Sequence, residues 1–348
     1  MSNVAAWGTP SPSSVLAPLA ITRRDLRDDD VAIIIHYCGV CHSDLHTARN
    51  DWGHTRYPVV PGHEIVGLVS AVGSGVTDFQ PGDRVAVGCM VDSCLACESC
   101  VNGEEQYCHE GMTGTYSGRD RRDNSLTQGG YSQSIVVRRE FVLRMPDGLD
   151  MAQAAPLLCA GITTWSPLRH WKVGAGMKVA VVGLGGLGHM GVKFAVALGA
   201  QVTVITTSPE KGADAVRLGA KAVLVSTDRE AMKAAARSFD FILDTAPVRH
   251  PLNPYLALLR SGAALVLVGA IEPLEFHGGA VMNRRTISGS GIGGIRETQE
   301  MLDFCARENI LPDCEMIRMD QINEAYERIE RGDVKYRFVI DIANTLSA

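Results

Sequence analysis

Four cysteines crowd one short stretch of the chain. The segment CLACESCVNGEEQYC carries Cys94, Cys97, Cys100 and Cys108 in the pattern C-x2-C-x2-C-x7-C. Thiolates at this density suit a closed, tetrahedral, all-cysteine zinc site with Zn–S near ~2.3 Å. An iron–sulfur cluster can open with the same spacing, but that pattern usually closes with C-x3-C-P. Here the fourth cysteine follows seven residues and precedes His109. The spacing therefore predicts structural zinc, whose role is to fold a lobe too small to hold itself together.

A second set of donors is dispersed. Cys41-His42-Ser43-Asp44-Leu45-His46 offers a thiolate followed by polar groups, Gly62-His63-Glu64 an imidazole beside a carboxylate, and PLLCAGITTW a lone Cys159. Each is ordinary alone, since a single cysteine in an apolar run is most often a small core residue. Together Cys, His and Cys give three protein ligands and leave a fourth zinc position for water or substrate. Spacing alone does not bring them together. An open zinc near a nucleotide site suggests a Lewis acid that polarises a carbonyl. Cys38 and Cys41 form a C-x-x-C that could be a redox pair; Cys38 reads better as a strand-end core residue. Cys89, Cys305 and Cys314 also read as packing residues.

The apolar run Val179-Ala180-Val181-Val182 leads directly into Gly183-Leu184-Gly185-Gly186-Leu187-Gly188. A G-x-G-x-x-G that leaves a strand and opens a helix is the context a dinucleotide site requires. Gly183 makes the tight turn, Gly185 admits the pyrophosphate to backbone N–H groups, and Gly188 allows close helix–strand packing. The phosphate charge then meets a helix N-terminus. An NAD enzyme would place Asp or Glu at the end of the second strand. This chain has Ile205-Thr206-Thr207-Ser208-Pro209-Glu210-Lys211, with no acid at 206–208. The hydroxyls and Lys211 suit an added 2′-phosphate, so NADP is favoured over NAD. Ser208 also reads as a helix N-cap, with Pro209 at the first helical position.

Elements that could position these groups fall into two textures. In the first half, strands are predicted at Val31–Tyr37, Ile65–Val72, Arg84–Gly88 and Tyr131–Val137, separated by Gly/Pro/Asp turns; this is a mostly antiparallel β domain. From about residue 155 strands and helices alternate. Strands are predicted at Lys178–Val182, Gln201–Ile205, Ala222–Val225, Phe239–Leu243 and Ala264–Val268. Helices are predicted after Gly188 and at Lys211–Leu218, Asp228–Arg237 and Leu256–Arg260. That alternation predicts a parallel sheet covered on both faces. Amphipathic helices at Glu297–Glu308 and Gln321–Arg331 and a strand at Arg337–Ile342 follow.

Composition narrows the class of partner. The chain has 348 residues, 46% hydrophobic and 21% charged, with a net charge of −6 from 33 Lys+Arg and 39 Asp+Glu. This length suits two domains, or one large one, with a large buried core, not a disordered chain or a disulfide-stapled miniprotein. The acidic balance argues against nucleic acid and anionic membranes as partners. Residues 1–22 show no basic targeting region, and the apolar run Gly262–Ile271 is about half a membrane span. The cytosol is the expected location, where the ten cysteines stay reduced.

With these motifs the chain closely resembles the zinc-dependent medium-chain alcohol dehydrogenases. Within them it is similar to the cinnamyl alcohol dehydrogenase group, especially its bacterial broad-range NADP-dependent aldehyde reductases. The resemblance runs through CGVCHSDLH (38–46), YPVVPGHEIVG (57–67), GDRV (82–85), the cysteine lobe, GGYSQ (129–133), PLLCAGITTW (156–165), GLGGLGHMGVKFA (183–195), ETQEMLDFCA (297–306) and DVKYRFVIDIA (333–343). It implies an α/β protein with two parts. One is a GroES-like, mainly antiparallel β catalytic domain at 1–155 and 293–348. The other is a Rossmann, doubly wound parallel-sheet domain at 156–292.

The resemblance also assigns roles. Cys41, not Cys38, becomes the first catalytic zinc ligand, with His63 and Cys159 completing the set and Glu64 able to ligate when water or substrate leaves. Ser43 would hydrogen-bond the reacting oxygen, and His46, with Asp51 nearby, would pass the proton to solvent through the cofactor ribose. Cofactor contacts would come from Thr163, Gly183, Leu184, Gly185, Gly186, Leu187, Gly188, Thr206, Thr207, Ser208 and Lys211. Two zincs per chain, NADP(H), a small aldehyde or alcohol substrate and a homodimer are implied.

Two positions depart from the lignin-type members. Thr113 stands where they carry a large aromatic, and Gly291 where they carry Phe. Both changes remove bulk from the implied substrate pocket, which Trp52 and Met90 would also line. The expected activity is reversible reduction of aromatic and medium aliphatic aldehydes to primary alcohols by NADPH, because an apolar pocket discriminates small chain differences by only about 1–3 kcal/mol. The rivals are reduction of a C=C or iminium bond and a non-enzymatic zinc/NADP sensor.

Overall fold

A computed structural model of the chain describes residues 2–269 and 272–346. The chain folds as two compact units, Met1–Cys159 with Gly293–Ala348, and Ala160–Ile292. The 3-10 turn Ala155–Leu158 is wholly buried, which keeps 156–159 with the first unit rather than the second.

The first unit is built on a seven-stranded sheet. Its order is Cys314–Ile317, Arg337–Asp341, Asp30–Val40, Ile65–Val72, Arg84–Val87 and Leu143–Arg144, with Ser134–Arg138 also pairing on Asp30–Val40. Only Cys314–Ile317 and Arg337–Asp341 run parallel. Asp30–Val40 is the central strand, and Val31, Ile33, Ile35 and Cys38 face the core. The strand predicted at Tyr131–Val137 begins later, at Ser134. Tyr131 is fully buried and its N–H donates to the Pro61 carbonyl, outside the ladder. A hairpin of Ser2–Gly8 and Ala17–Arg23, and the short pair Met90–Asp92 and Thr113–Gly114, complete the β structure.

The second unit is a six-stranded parallel sheet. Its order is Ala222–Val225, Gln201–Thr206, Lys178–Val182, Phe239–Asp244, Leu259–Leu267 and Thr286–Gly289. In chain order this is 3-2-1-4-5-6, the doubly wound arrangement whose ligands bind at the carboxyl ends of the strands. Near-continuous apolar strands such as Val179–Val182 match burial on both faces.

Two helices differ from expectation. The helix predicted at Leu256–Arg260 occupies Asn253–Leu258, with Pro254 in its first turn, and the chain is already extended at Leu259. Proline tolerates only that first turn, which pulls the helix forward. The Lys211–Leu218 helix divides into a 3-10 turn, Pro209–Lys211, and a helix, Gly212–Arg217. The apolar run from Gly262 lies in the fifth strand; Ala270 and Ile271 are outside the described residues. Among the described residues no helix is long and apolar enough to cross a membrane.

Candidate active site

Cys41 is the N-cap of the helix His42–Arg49. Asp44 at the third helical position accepts the Cys41 N–H at 2.9 Å, a capping box in which a carboxylate reaches back to the helix start. The same carboxylate is fully buried and accepts the Gly62 N–H at 3.0 Å and the Tyr131 hydroxyl at 3.1 Å. It also lies 3.0 Å from His63 Nδ1, and the Tyr116 hydroxyl lies 3.1 Å from that nitrogen. An ionised carboxylate only accepts, so Nδ1 carries the proton and Nε2 is left for a metal. One buried aspartate thus sets the positions of Cys41, Gly62 and His63.

Donor atoms of Cys41, His63, Glu64 and Cys159 all lie within 4.8 Å of one another, and all four residues are buried. The sulfurs of Cys41 and Cys159 are 3.8 Å apart, the edge of about 3.8 Å that a tetrahedron with Zn–S near ~2.3 Å requires. The Cys159 hydrogen bond, together with Arg337 and His63, holds the Cys41 thiol well below its ordinary range, against burial. Burial raises the Glu64 carboxyl to about 7, against the pull of Arg337. Arg337 donates to Glu64 Oε1, whereas the buried Oε2 has no hydrogen-bond partner among the described residues. A buried carboxylate oxygen without a donor is costly, and a cation removes that cost. The donor set therefore fits an open zinc site.

Cys38 takes no part. It is fully buried in the central strand, and its sulfur fills the space a Cβ would need at Gly62 and Gly130. This supports packing over a Cys38–Cys41 redox pair.

Ser43 and His46 share one face of the helix, three residues apart. Ser43 Oγ is 3.7 Å from Cys41 Sγ. His46 Nδ1 is 2.7 Å from Asp51 Oδ2, and its ring lies 5.6 Å from that of Trp52. Trp52 is 36% exposed and stacks on His54, so it accompanies the His46–Asp51 pair.

The remaining pocket candidates are more scattered. Met90 is buried in its short strand. Thr113 donates to the Arg119 carbonyl and borders a cavity of about 530 Å³ shared with Arg122 and Asp92, and no zinc donor lines that cavity. Gly291 belongs to the second unit, and a Cβ there would meet nothing within 4 Å.

The cysteine lobe is equally well built for an ion. The four donor sulfurs lie within 4.8 Å of one another. Sγ separations are 3.8 Å for Cys94–Cys100 and 3.5 Å for Cys97–Cys100. Backbone N–H groups of Cys94, Cys97 and His109 donate to sulfur at 3.3 to 3.4 Å. The His109 N–H, first among several hydrogen bonds, lowers the Cys97 thiol to about 6. Sulfurs converging on one point suit one tetrahedral ion, not the several irons of a cluster.

In the second unit the glycine turn has the expected shape. Gly183 takes φ +88°, which favours glycine. A Cβ at Gly188 would strike the Gly183 carbonyl, whereas one at Gly185 would meet nothing within 4 Å. Gly188 opens the helix Gly188–Ala197 directly after Gly186 and Leu187. Ser208 and Pro209 hold the expected cap and first positions of the 3-10 turn, but the serine side chain makes no capping bond. Instead the Ser208 N–H donates to Thr206 Oγ1 at 3.1 Å, leaving the serine oxygen uncommitted to the turn. Thr207 is exposed, and Lys211 Nζ donates to the Leu184 carbonyl at 3.3 Å, so the lysine lies against the glycine turn. Thr163 is buried in the helix Ala160–His170.

Sequence reasoning missed Asp44, Tyr116 and Arg337. Asp44 stood inside a quoted motif, three residues after the cap, and that spacing was its signal. Arg337 is 273 residues from Glu64; a buried arginine opening an apolar strand was the only hint. Tyr116 left none.

An open zinc position in the first unit and a dinucleotide turn in the second are the two features of a zinc-binding nucleotide-dependent oxidoreductase. Residues 27–147 match the alcohol dehydrogenase GroES-like domain and 186–307 the zinc-binding dehydrogenase domain. The chain is 53% identical to NADP-dependent alcohol dehydrogenase C 1 of Mycolicibacterium smegmatis over 350 residues, 100% of both chains. It is 55% identical to aldehyde reductase YahK of Escherichia coli, covering 97% of this chain and 98% of that one. A cinnamyl alcohol dehydrogenase of Sorghum bicolor (SbCAD4) superposes with a TM-score of 0.97 at 45% identity, covering 100% of both. The chain belongs to the zinc-binding alcohol dehydrogenase family.

Proposed function

We propose that the protein reversibly reduces aromatic and medium aliphatic aldehydes to primary alcohols, using NADPH. The observation that carries this reading is the convergence of Cys41, His63, Glu64 and Cys159 on one buried point. The relatives' names, NADP-dependent alcohol dehydrogenase and aldehyde reductase, support the cofactor and substrate class. In this reading the first unit is catalytic and the second binds the nucleotide.

Zinc held by Cys41, His63 and Cys159 supplies a Lewis acid toward a carbonyl oxygen, and NADPH supplies the hydride. The chain's own groups do the rest. Asp44 fixes the His63 ring and tautomer through Nδ1. Arg337 anchors one oxygen of Glu64 and leaves the other free to serve as a fourth donor. Ser43 Oγ hydrogen-bonds the reacting oxygen and delivers its proton. His46 Nε2 would pass that proton on to solvent, while Asp51 holds the ring in place through Nδ1. Thr206, Thr207, Ser208 and Lys211 receive the 2′-phosphate. A cytosolic homodimer belongs to the same reading, and light scattering on purified protein tests the dimer.

The decisive experiment is a steady-state screen of aldehydes with NADPH and NADH, with and without chelator. Chelator-sensitive turnover with NADPH is expected. An enal distinguishes the chief rival: unsaturated alcohol supports carbonyl reduction, and saturated aldehyde would mark a C=C reductase. Nucleotide binding without turnover on any carbonyl would mark a sensor.

A further inference from the structure

Asp244 ends the fourth strand of the parallel sheet and is 1% exposed. Its Oδ1 accepts the Ala246 N–H at 3.1 Å, and its Oδ2 lies 2.8 Å from His250 Nε2. The other ring nitrogen, Nδ1, lies 2.7 Å from the Val248 carbonyl oxygen. A carbonyl only accepts, and so does an ionised carboxylate. Facing an ionised Asp244, His250 would donate from both nitrogens, as an imidazolium does. Its hydrogen bond to Asp244 raises its pKa, against partial burial.

The segment closed by this pair lies beside the glycine turn. Thr245 Oγ1 donates to the Val182 carbonyl at 2.7 Å. It also stands 3.0 Å and 3.1 Å from where Cβ atoms on Gly183 and Gly188 would be. Gly269, at the end of the fifth strand, has no room for a Cβ because the Thr245 and Ala246 backbone is there. The ends of the first and fifth strands thus pack around the start of the 244–250 loop, at the edge of the sheet where nucleotides bind in this fold.

We propose that the His250–Asp244 pair is a pH-sensitive strap that holds the 244–250 loop against the glycine turn and thereby sets nucleotide affinity. It rests on reading Gly183–Gly188 as the nucleotide site. Loss of the ring proton leaves one nitrogen facing an acceptor with no hydrogen between them, so one end of the strap opens. The groups facing His250 are Asp244 from the strand, the Val248 carbonyl from its own loop, and Tyr255, whose ring meets it edge-on at 5.5 Å from the helix Asn253–Leu258. Neighbouring Arg249 is turned away, toward Glu275. His250 is a positioning residue and does not touch the reacting atoms.

The sign follows from linkage. A raised histidine pKa means the charged form is preferred in the closed loop, so affinity is highest at low pH and falls as pH rises through the raised value. The test is fluorescence titration of NADPH and NADH into the full-length, zinc-loaded protein from pH 7 to pH 9.5, which lies above the titration of the NADPH 2′-phosphate near ~6. Wild type should bind both nucleotides about tenfold more weakly at the alkaline end, within the usual range of coupling between sites. His250→Gln keeps one donor and does not titrate; it should bind with intermediate affinity and lose the slope. His250→Ala should bind about tenfold more weakly than wild type at pH 7, also without slope. A flat wild-type profile, or a slope retained in His250→Gln, would overturn the strap while leaving the nucleotide site intact. Failure of both nucleotides to bind at every pH would overturn the nucleotide reading, and the strap with it.

Discussion

Gly39 and the carboxylate of Glu64 contend for the same space. The Gly39 N–H donates to the Glu64 carbonyl at 2.9 Å, and a Cβ on Gly39 would overlap Oε2 and stand 3.0 Å from Cβ of Glu64. The backbone here is not in the left-handed region, so the requirement is steric alone. Gly39→Ala should displace Glu64, destabilising the protein by about 1–3 kcal/mol as overpacking does. Urea denaturation measures the loss, and turnover should fall with it.

Asp44→Asn tests the carboxylate beneath the zinc donors. An amide has one accepting oxygen in place of two and cannot satisfy all the donors that now converge there. Zinc affinity at the open site should fall by about 10- to 100-fold, the usual effect of removing the partner of a ligating histidine. Competition with a colorimetric chelator reads this directly, and the cysteine-lobe zinc serves as an internal control.

The two metal sites should separate by mutation. Metal analysis should find two zincs per chain; a single zinc would mean that the Cys41/His63/Cys159 site does not assemble. Cys159→Ala should abolish turnover and leave a folded protein with one zinc. Cys100→Ala should impair folding itself, because the lobe depends on its ion. Circular dichroism with metal content distinguishes these outcomes.

Acid should loosen the first unit in part through one surface pair. The hydrogen bond and charge of Arg122 hold Asp29 at about 2, below its ordinary 3.8. A depressed carboxylate contributes stability above its unfolded value and loses it as pH falls from about 3.8 to about 2. The Asp29 side chain is 27% exposed and its partner 39%, so solvent screening limits the gain to about 1 kcal/mol or less. Thermal melts of Arg122→Ala should lie below wild type at pH 7 and converge with it near pH 2.

Thr207→Asp places a carboxylate where the 2′-phosphate is proposed to sit. NADPH should lose at least about tenfold in kcat/KM relative to NADH, since each 1.4 kcal/mol of like-charge repulsion is a factor of ten. An unchanged ratio would remove the phosphate assignment.

Much of the fold was legible because local pattern and tertiary demand agree. The strands at Ile65–Val72, Lys178–Val182 and Ala222–Val225 fall where alternation or apolar runs place them. The hairpin Ser2–Gly8/Ala17–Arg23 was not, because its strands are only partly buried and carry little apolar periodicity. The helix His42–Arg49 was also hidden: it is polar along most of its length, and a buried aspartate tied to other segments stabilises it. Among site residues, sulfur and imidazole donors announce themselves by type and spacing. The groups that aim them, Tyr116 and Arg337, do so only through distant contacts.

Lys211 already has an occupation. Its ammonium donates to the Leu184 carbonyl, within the turn proposed to receive the nucleotide. An incoming phosphate must outbid that neutral acceptor, and a dinucleotide lacking the extra phosphate leaves the contact undisturbed. On the proposed reading, selectivity at this position is the difference between two bonds of one amine, and replacing Lys211 removes a brace of the glycine turn together with the proposed phosphate ligand.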